Sequence, residues 1–185
     1  IMIGYTAHDA RYCLSTWMGL DEAQGTNFFK NSYNLLKTDK QKYNIPAEVL
    51  AASDEYIKNC KLEKEWERIE RMFTIADFAV PTIAYVDSYC NNGNVFVYVM
   101  NLPAQTDLAG SYHSCDVEYL FNNNDRIAAF GRADDLTKQR ADEVQRVWVS
   151  FAKTGVPSLD GKEFKKYDSK DKAVLVIDHK DGFSR

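Results

Sequence analysis

Short apolar runs alternate with longer stretches of helical spacing along this chain. The runs rich in β-branched and aromatic residues, which predict strands, are Ile1–Tyr5, Asn94–Met100 and Ala173–Ile177. The second run has no regular apolar–polar alternation, which is typical of a strand covered on both faces in a parallel sheet. Because long helical stretches separate these strands, the sequence predicts an α/β fold.

Residues 10–60 are predicted to form short helices. One contains the aromatic residues Phe28, Phe29 and Tyr33, which fit either core packing or the lining of a substrate pocket, with core packing favoured. Another begins at Pro46, since proline suits the first turn of a helix.

Two helices are predicted further along the chain. The apolar positions at helical spacing in the first are Trp66, Ile69, Met72, Phe73 and Ala76. Its charged residues between Lys61 and Arg71 are expected to form a solvated face, and Pro81 to end or kink it. The apolar positions of the second are Val144, Val147, Trp148, Phe151 and Ala152. Thr137 is expected to cap its start, and Gly155 and Pro157 to close its end.

Composition narrows the class of protein. A chain of 185 residues with 45% hydrophobic and 13% aromatic residues is long enough to form one globular domain with a sizeable core. The net charge of −4, with no clustered basic face in the sequence, argues against a nucleic-acid-binding surface. No apolar stretch reaches the roughly 20 residues that a membrane-spanning helix needs.

The start of the chain and its cysteines say little about compartment. Ile1–Gly4 lacks the basic residues of a signal peptide and predicts a strand already under way, as in part of a longer protein. The chain has four widely spaced cysteines and no Cys-x-x-Cys motif, so the sequence gives little support for a metal or redox site. The cysteines are Cys13, Cys60, Cys90 and Cys115. Isolated thiols are favoured, and disulfides stay an alternative.

The segment Gly110–Phe121 carries the clearest chemical signal. His113 follows the second predicted strand and a polar loop, and an acidic, aromatic-rich stretch comes directly after it. Histidine suits proton transfer near neutral pH, so His113 is a candidate general base. The chain contains no Gly-x-Ser-x-Gly motif, and a hydrolase that used this histidine would therefore need a nucleophile from elsewhere.

Four stretches of the sequence resemble, in order, motifs of the type-B carboxylesterase and cholinesterase family. They are Gly4–Asp9, Asp77–Thr82, Val95–Tyr98 with Gly110–Phe121, and Trp148–Pro157. The first resembles the segment that presents the catalytic acid, and the third resembles the strand and the catalytic-histidine loop. The second resembles a helix break with contracted spacing, and the last resembles a Trp-x-x-Phe-Ala-x-x-Gly-x-Pro helix end.

The resemblance implies that residues 1–185 are the C-terminal portion of an α/β-hydrolase fold, with its last parallel strands and an incomplete sheet. It assigns His113 as the catalytic base and Asp9 as the acid that orients it, in the chain order of α/β-hydrolases. Most family members have Glu followed by Gly where this chain has Asp9 and Ala10, and aspartate does the same work in some of them.

The implied activity is carboxylic ester hydrolysis through an acyl-enzyme, with a small-molecule ester as substrate and without a metal or cofactor. The nucleophile is expected in an N-terminal remainder of the same domain. The isolated segment is expected to hydrolyse no ester, and its unpaired strand edges favour self-association or contact with that remainder. A non-catalytic cholinesterase-like interaction domain and a free-standing α/β binding module are the alternative functions.

Several residues near the motifs have simpler interpretations. His8 is predicted to be a solvated loop histidine, and His179 a surface residue. Asp116 is expected to support the histidine loop through a hydrogen bond. Cys115 lies only two positions after His113 on a short loop, so attack geometry between the two side chains is not expected.

Overall fold

Parallel strands form the centre of the fold. The computed structural model describes residues 1–15, 18–39, 42–103, 106–123 and 134–184. Its main sheet has the order β1-β2-β5-β6, with β1 at Met2–Thr6, β2 at Phe96–Asn101, β5 at Val174–Asp178 and β6 at Gly182–Ser184. The pairs β1–β2 and β2–β5 are parallel, and β5–β6 is antiparallel. The two-stranded sheet β3–β4 comprises Ser158–Leu159 and Lys162–Glu163.

The three predicted strands are therefore found, displaced by one or two residues. The sequence did not predict β6, a three-residue strand after the turn at Asp181, because so short a segment carries no periodic signal. Gly4 is required within β1, since a Cβ there would lie 2.2 Å from the carbonyl oxygen of Tyr98 on β2. Gly4 and Tyr98 are directly paired in the register of the two strands.

Helices cover both faces of the sheet. Their bounds are α1 Glu22–Thr38, α2 Ala47–Asn59, α3 Glu65–Thr74, α4 Val80–Tyr89, α5 Cys115–Leu120 and α6 Asp135–Thr154, and a 3-10 helix spans Asp9–Leu14. Residues of β2 alternate between the two faces. Met100 packs with Val144 of α6, and Val97 packs with Val86 of α4, so β2 is buried from both sides as predicted.

Two predicted helix boundaries take a different form in the structure. A π-helical turn at Ile75–Ala79 separates α3 from α4, and Pro81, which has no N–H to donate, lies in the first turn of α4. The predicted cap of α6 was wrong. Asp134 is the N-cap, and its carboxylate accepts hydrogen bonds from the backbone N–H and the hydroxyl of Thr137. Gly155, with φ of +78°, ends α6 as expected.

A second core lies between α1, α3 and the 3-10 helix. Phe29 and Tyr33 of α1 pack there with Trp66, Ile69 and Met72 of α3. The four cysteines are free thiols, of which Cys60 is the least buried. Among the helices that the structure describes, none has the length and apolar character needed to cross a bilayer. The described residues also contain no group of three or more metal-ligating side chains.

Candidate active site

Asp9 lies at the carboxyl end of β1. The strand ends at Thr6, and the chain turns directly into the 3-10 helix that starts with Asp9. The turn is closed by the side chain itself, because Oδ2 of Asp9 accepts a hydrogen bond of 2.8 Å from the N–H of Thr6. The Asp9 side chain is only 4% exposed. Burial raises the pKa of this carboxyl, while the hydrogen bonds from Thr6 and His113 lower it.

His113 lies in the loop that follows β2. Its Nδ1 atom is 2.8 Å from Oδ1 of Asp9, and its ring centroid is 5.2 Å from that of Phe78. The two loops meet because β1 and β2 are parallel neighbours, whose carboxyl ends open at the same edge of the sheet. The structure therefore joins the two residues that the sequence singled out.

The contact between Asp9 and His113 favours one arrangement of the imidazole. A carboxylate at Nδ1 holds the proton on that nitrogen and leaves Nε2 as the basic atom. The imidazole side chain is 46% exposed. No hydrogen bond to Nε2 is found within the described residues, so this nitrogen is available to bind an incoming hydroxyl.

The prediction that His8 is solvated was wrong. Its ring packs against the histidine loop, where Nδ1 accepts a hydrogen bond of 3.3 Å from the N–H of Ser111. Its backbone N–H also donates to the carbonyl oxygen of Ser111, at 3.0 Å. The position of His8 next to Asp9 in the sequence does not predict its packing, because only the fold brings the loop of Ser111 against its ring.

A buried ion pair supports the acid-bearing segment, and sequence analysis missed it. Nε of Arg11 lies 3.1 Å from Oε2 of Glu70, whose side chain is fully buried although it falls within the predicted solvated face of α3. The hydroxyl of Thr74 donates to Oε1 of Glu70 and accepts from the N–H of Ala10. Arg11 also donates to the carbonyl oxygen of Leu108, in the segment before His113.

Three other side chains near His113 have structural contacts. Asp116 accepts a 3.0 Å hydrogen bond from the hydroxyl of Tyr98, in agreement with the supporting role predicted for it. Cys115 is completely buried against Ser111 and the carbonyl oxygen of Leu102, and burial raises the pKa of its thiol. A buried thiol with this environment is a poor nucleophile.

His179 directly follows β5, and its contacts are with the start of α6. Its side chain is 20% exposed, and Nε2 lies 3.4 Å from the hydroxyl of Thr137 and 3.9 Å from the carboxylate of Asp134. The residue predicted to lie at the surface is therefore partly exposed and partly packed. The ring is packed at the N-terminal end of α6.

A cavity of about 360 Å³ lies beside the Asp9–His113 pair. Its wall contains Ala10, Tyr12, Phe28, Phe29, Ser32, Leu35, Leu36, Tyr43, Phe73, Asp77 and Phe78. Phe78 also contacts the ring of His113 and so links the cavity wall to the imidazole, although neither His113 nor Asp9 lines the cavity. Phe29 and Tyr33 belong to the buried core, as favoured from the sequence, while Phe28 and Phe29 contribute to the cavity wall.

The carboxylesterase family model matches residues 1–184 of this chain. The chain belongs to the carboxylesterase family. Para-nitrobenzyl esterase of Bacillus subtilis (strain 168) is 26% identical to this carboxylesterase chain over 110 residues, which are 58% of the chain and 22% of that protein. The family resemblance inferred from the four sequence motifs is thus confirmed.

Solved structures extend the match to the fold. Two structures of PNB esterase superpose on the chain with TM-scores of 0.64 and 0.68, at 17% and 18% sequence identity. Each covers 99% of this chain, and the chain covers 34% and 35% of theirs, so it spans about a third of the length of these relatives. The prediction of an α/β fold with part of a mostly parallel sheet is confirmed.

Proposed function

We propose that this carboxylesterase chain supplies the histidine and the acid of a Ser-His-Asp triad that hydrolyses carboxylic esters. The observation that carries the proposal is the 2.8 Å contact between Nδ1 of His113 and Oδ1 of Asp9, formed at the carboxyl ends of adjacent parallel strands. This is the edge at which α/β proteins place their active sites.

Each residue has a defined part in the reaction. Nε2 of His113 takes the proton of a serine hydroxyl as its oxygen attacks the ester carbonyl, and then gives that proton to the leaving alcohol. Asp9 stabilises the imidazolium between these two steps. Water then attacks the acyl-enzyme with His113 again acting as base, which releases the acid and restores the serine. The aromatic cavity beside Phe78 suits the hydrocarbon part of a small-molecule ester.

The serine and the oxyanion donors are proposed to come from an N-terminal remainder of the same hydrolase domain. Within the described sheet, β1 is an edge strand that pairs with β2 on one side. A row of unpaired backbone groups is a template for another strand. The free edge of β1 therefore favours pairing with a strand of the N-terminal remainder, next to Asp9. Self-association of the isolated chain through the same edge stays a prediction.

Hydrolysis of p-nitrophenyl acetate tests the proposal. Residues 1–185 alone are expected to give the same rate as their His113→Ala variant, because loss of the nucleophile from a serine triad costs about 10⁶ in kcat. A polypeptide of full family length that carries these residues is expected to be active, and His113→Ala to remove that activity. Hydrolysis by the isolated chain above the variant's rate would contradict the proposal. An inactive longer polypeptide would favour the non-catalytic interaction domain.

A further inference from the structure

His8 connects the two loops that carry the proposed catalytic pair. It directly precedes Asp9, while its partner Ser111 lies two positions before His113. The N–H of His8 donates to the carbonyl oxygen of Ser111 at 3.0 Å, and the N–H of Ser111 donates to Nδ1 of His8 at 3.3 Å. Both backbone groups of Ser111 are therefore bonded to one residue of the opposite loop.

The histidine loop is shaped to receive this ring. Gly110 has φ of +58°, and a Cβ at this position would lie 2.9 Å from Nδ1 of His8. A side chain here would be strained and would push the ring away from Ser111. The loops are also joined at the end of β2, where the carbonyl oxygen of Met100 accepts from both the N–H of Ala7 and the hydroxyl of Ser111.

The ring can accept this hydrogen bond only while Nδ1 is unprotonated. Burial lowers the pKa of His8 to about 3, and the positive charges of Arg11 and Arg71 lower it in the same direction. The ring therefore stays neutral over the pH range in which a catalytic histidine works. Its Nδ1 atom is therefore free of a proton and able to accept the hydrogen bond from Ser111.

We propose that His8 is a positioning residue, which holds the loop of His113 in register with Asp9 by accepting the hydrogen bond from Ser111. Its effect on catalysis rests on the proposed function, whereas its effect on the Asp9–His113 contact does not. The proposal requires an acceptor atom at the place of Nδ1, and the bulk of the ring alone does not satisfy it.

Two substitutions separate the acceptor from the bulk. His8→Leu fills the space without an acceptor, and His8→Asn places its amide oxygen close to the position of Nδ1. NMR of residues 1–185 reports on the Nδ1–H proton of His113 and on amide exchange at Ser111. We expect His8→Leu to broaden or remove the His113 signal and to speed exchange at Ser111 about fivefold, as for the loss of one hydrogen bond. His8→Asn should restore both.

Kinetics on the longer polypeptide provide the second measurement. His8→Leu should lower kcat by up to about 100-fold with little change in KM, because the base is misplaced and the substrate-binding surface is intact. His8→Asn should recover most of the loss. His179→Leu, a change at the partly buried histidine beside α6, is the matched control and should leave kcat and the His113 signal unchanged.

Two results would overturn the proposal. One is a His8→Leu protein whose His113 signal and Ser111 exchange match those of the unmodified chain. The other is a His8→Asn protein that behaves like His8→Leu while it melts at the original temperature. An inactive longer polypeptide would refute the proposed esterase function only, since the NMR measurements decide the role of His8 without it.

Discussion

Two buried arginine–glutamate pairs lie in different regions of this carboxylesterase chain. Arg11 and Glu70 are 59 positions apart, with Nε and Oε2 separated by 3.1 Å and side chains 10% and 0% exposed. Arg140 and Glu143 are neighbours on one turn of α6, with Nη1 and Oε2 separated by 2.6 Å and side chains 10% and 12% exposed. The chemistry is the same, but the first pair links distant segments and the second links residues within one helix.

The other hydrogen bonds of each arginine show which segments it connects. Arg11 reaches the carbonyl oxygen of Leu108 and so connects the acid-bearing segment, α3 and the approach to His113. Arg140 donates to the carbonyl oxygens of His179 and Lys180 and so ties α6 to the turn between β5 and β6. The same type of ion pair therefore supports the candidate site in one region and a sheet edge in the other.

Matched carboxylate substitutions in the two regions give the largest expected difference. Asp9→Asn in a polypeptide of full family length should lower kcat about 10⁴-fold with little change in KM, because the amide no longer selects the productive tautomer of His113. Asp178→Asn should change kcat less than threefold, since Asp178 bonds Asn101 and the turn at Lys180. Steady-state hydrolysis of p-nitrophenyl acetate measures both.

A similar decrease in kcat for Asp9→Asn and Asp178→Asn would contradict the functional distinction between the two regions. Active Asp9→Asn protein would refute the role of Asp9 directly. Replacement of Asp9 by Glu, a longer carboxylate, is a useful companion. It should retain more activity than Asp9→Asn, since the carboxylate is kept.

The second prediction breaks the long-range ion pair. Arg11→Met should lower the free energy of unfolding by about 3–5 kcal/mol, because Glu70 is left charged and fully buried without its cation. Urea denaturation of residues 1–185 measures the change. The double variant Arg11→Met, Glu70→Met should recover much of the loss, since two apolar side chains leave no unpaired charge. A double variant no more stable than the single one would contradict this explanation.

The local pair should be less costly to break. Arg140→Met is expected to lower the free energy of unfolding by about 1–3 kcal/mol, because Glu143 keeps a 2.8 Å hydrogen bond from Gln139. The freed carbonyl groups lie at His179 and Lys180, so hydrogen exchange should rise in the turn between β5 and β6. If Arg140→Met destabilised the chain as much as Arg11→Met or more, the proposed ranking of the two pairs would be contradicted.

The catalytic candidates could be predicted from the sequence, but the contacts that hold them in place could not. His113 and Asp9 were predicted because family motifs keep reactive residues at fixed places along the chain. The packing of His8 and the burial of Arg11 and Glu70 were not predicted, since each depends on contacts with segments far away in sequence. A charged residue in a helical pattern gives no sign that another loop covers it, and Glu70 was therefore assigned to a solvated face.

Glu118 is a partly buried acid whose hydrogen-bond partner is neutral. The hydroxyl of Tyr112 donates to Oε1 of Glu118 at 2.6 Å. The buried Oε2 has no hydrogen-bond partner among the residues that the structure describes. Burial raises the pKa of Glu118 to about 7, the nearby charge of Asp116 acts in the same direction, and the hydrogen bond from Tyr112 opposes them.

The smallest expected effect follows from this raised pKa. Since the folded state favours the protonated acid, its contribution to stability is complete below the ordinary pKa of 4.5 and is lost as the pH rises through about 7. Glu118→Gln removes this dependence. The free energy of unfolding of the variant, measured relative to that of the unmodified chain, should therefore rise by about 1 kcal/mol from pH 4 to pH 8.5. This figure allows for partial solvent screening. Urea denaturation at the two pH values measures this difference, and an equal effect at both would show that Glu118 ionises without penalty.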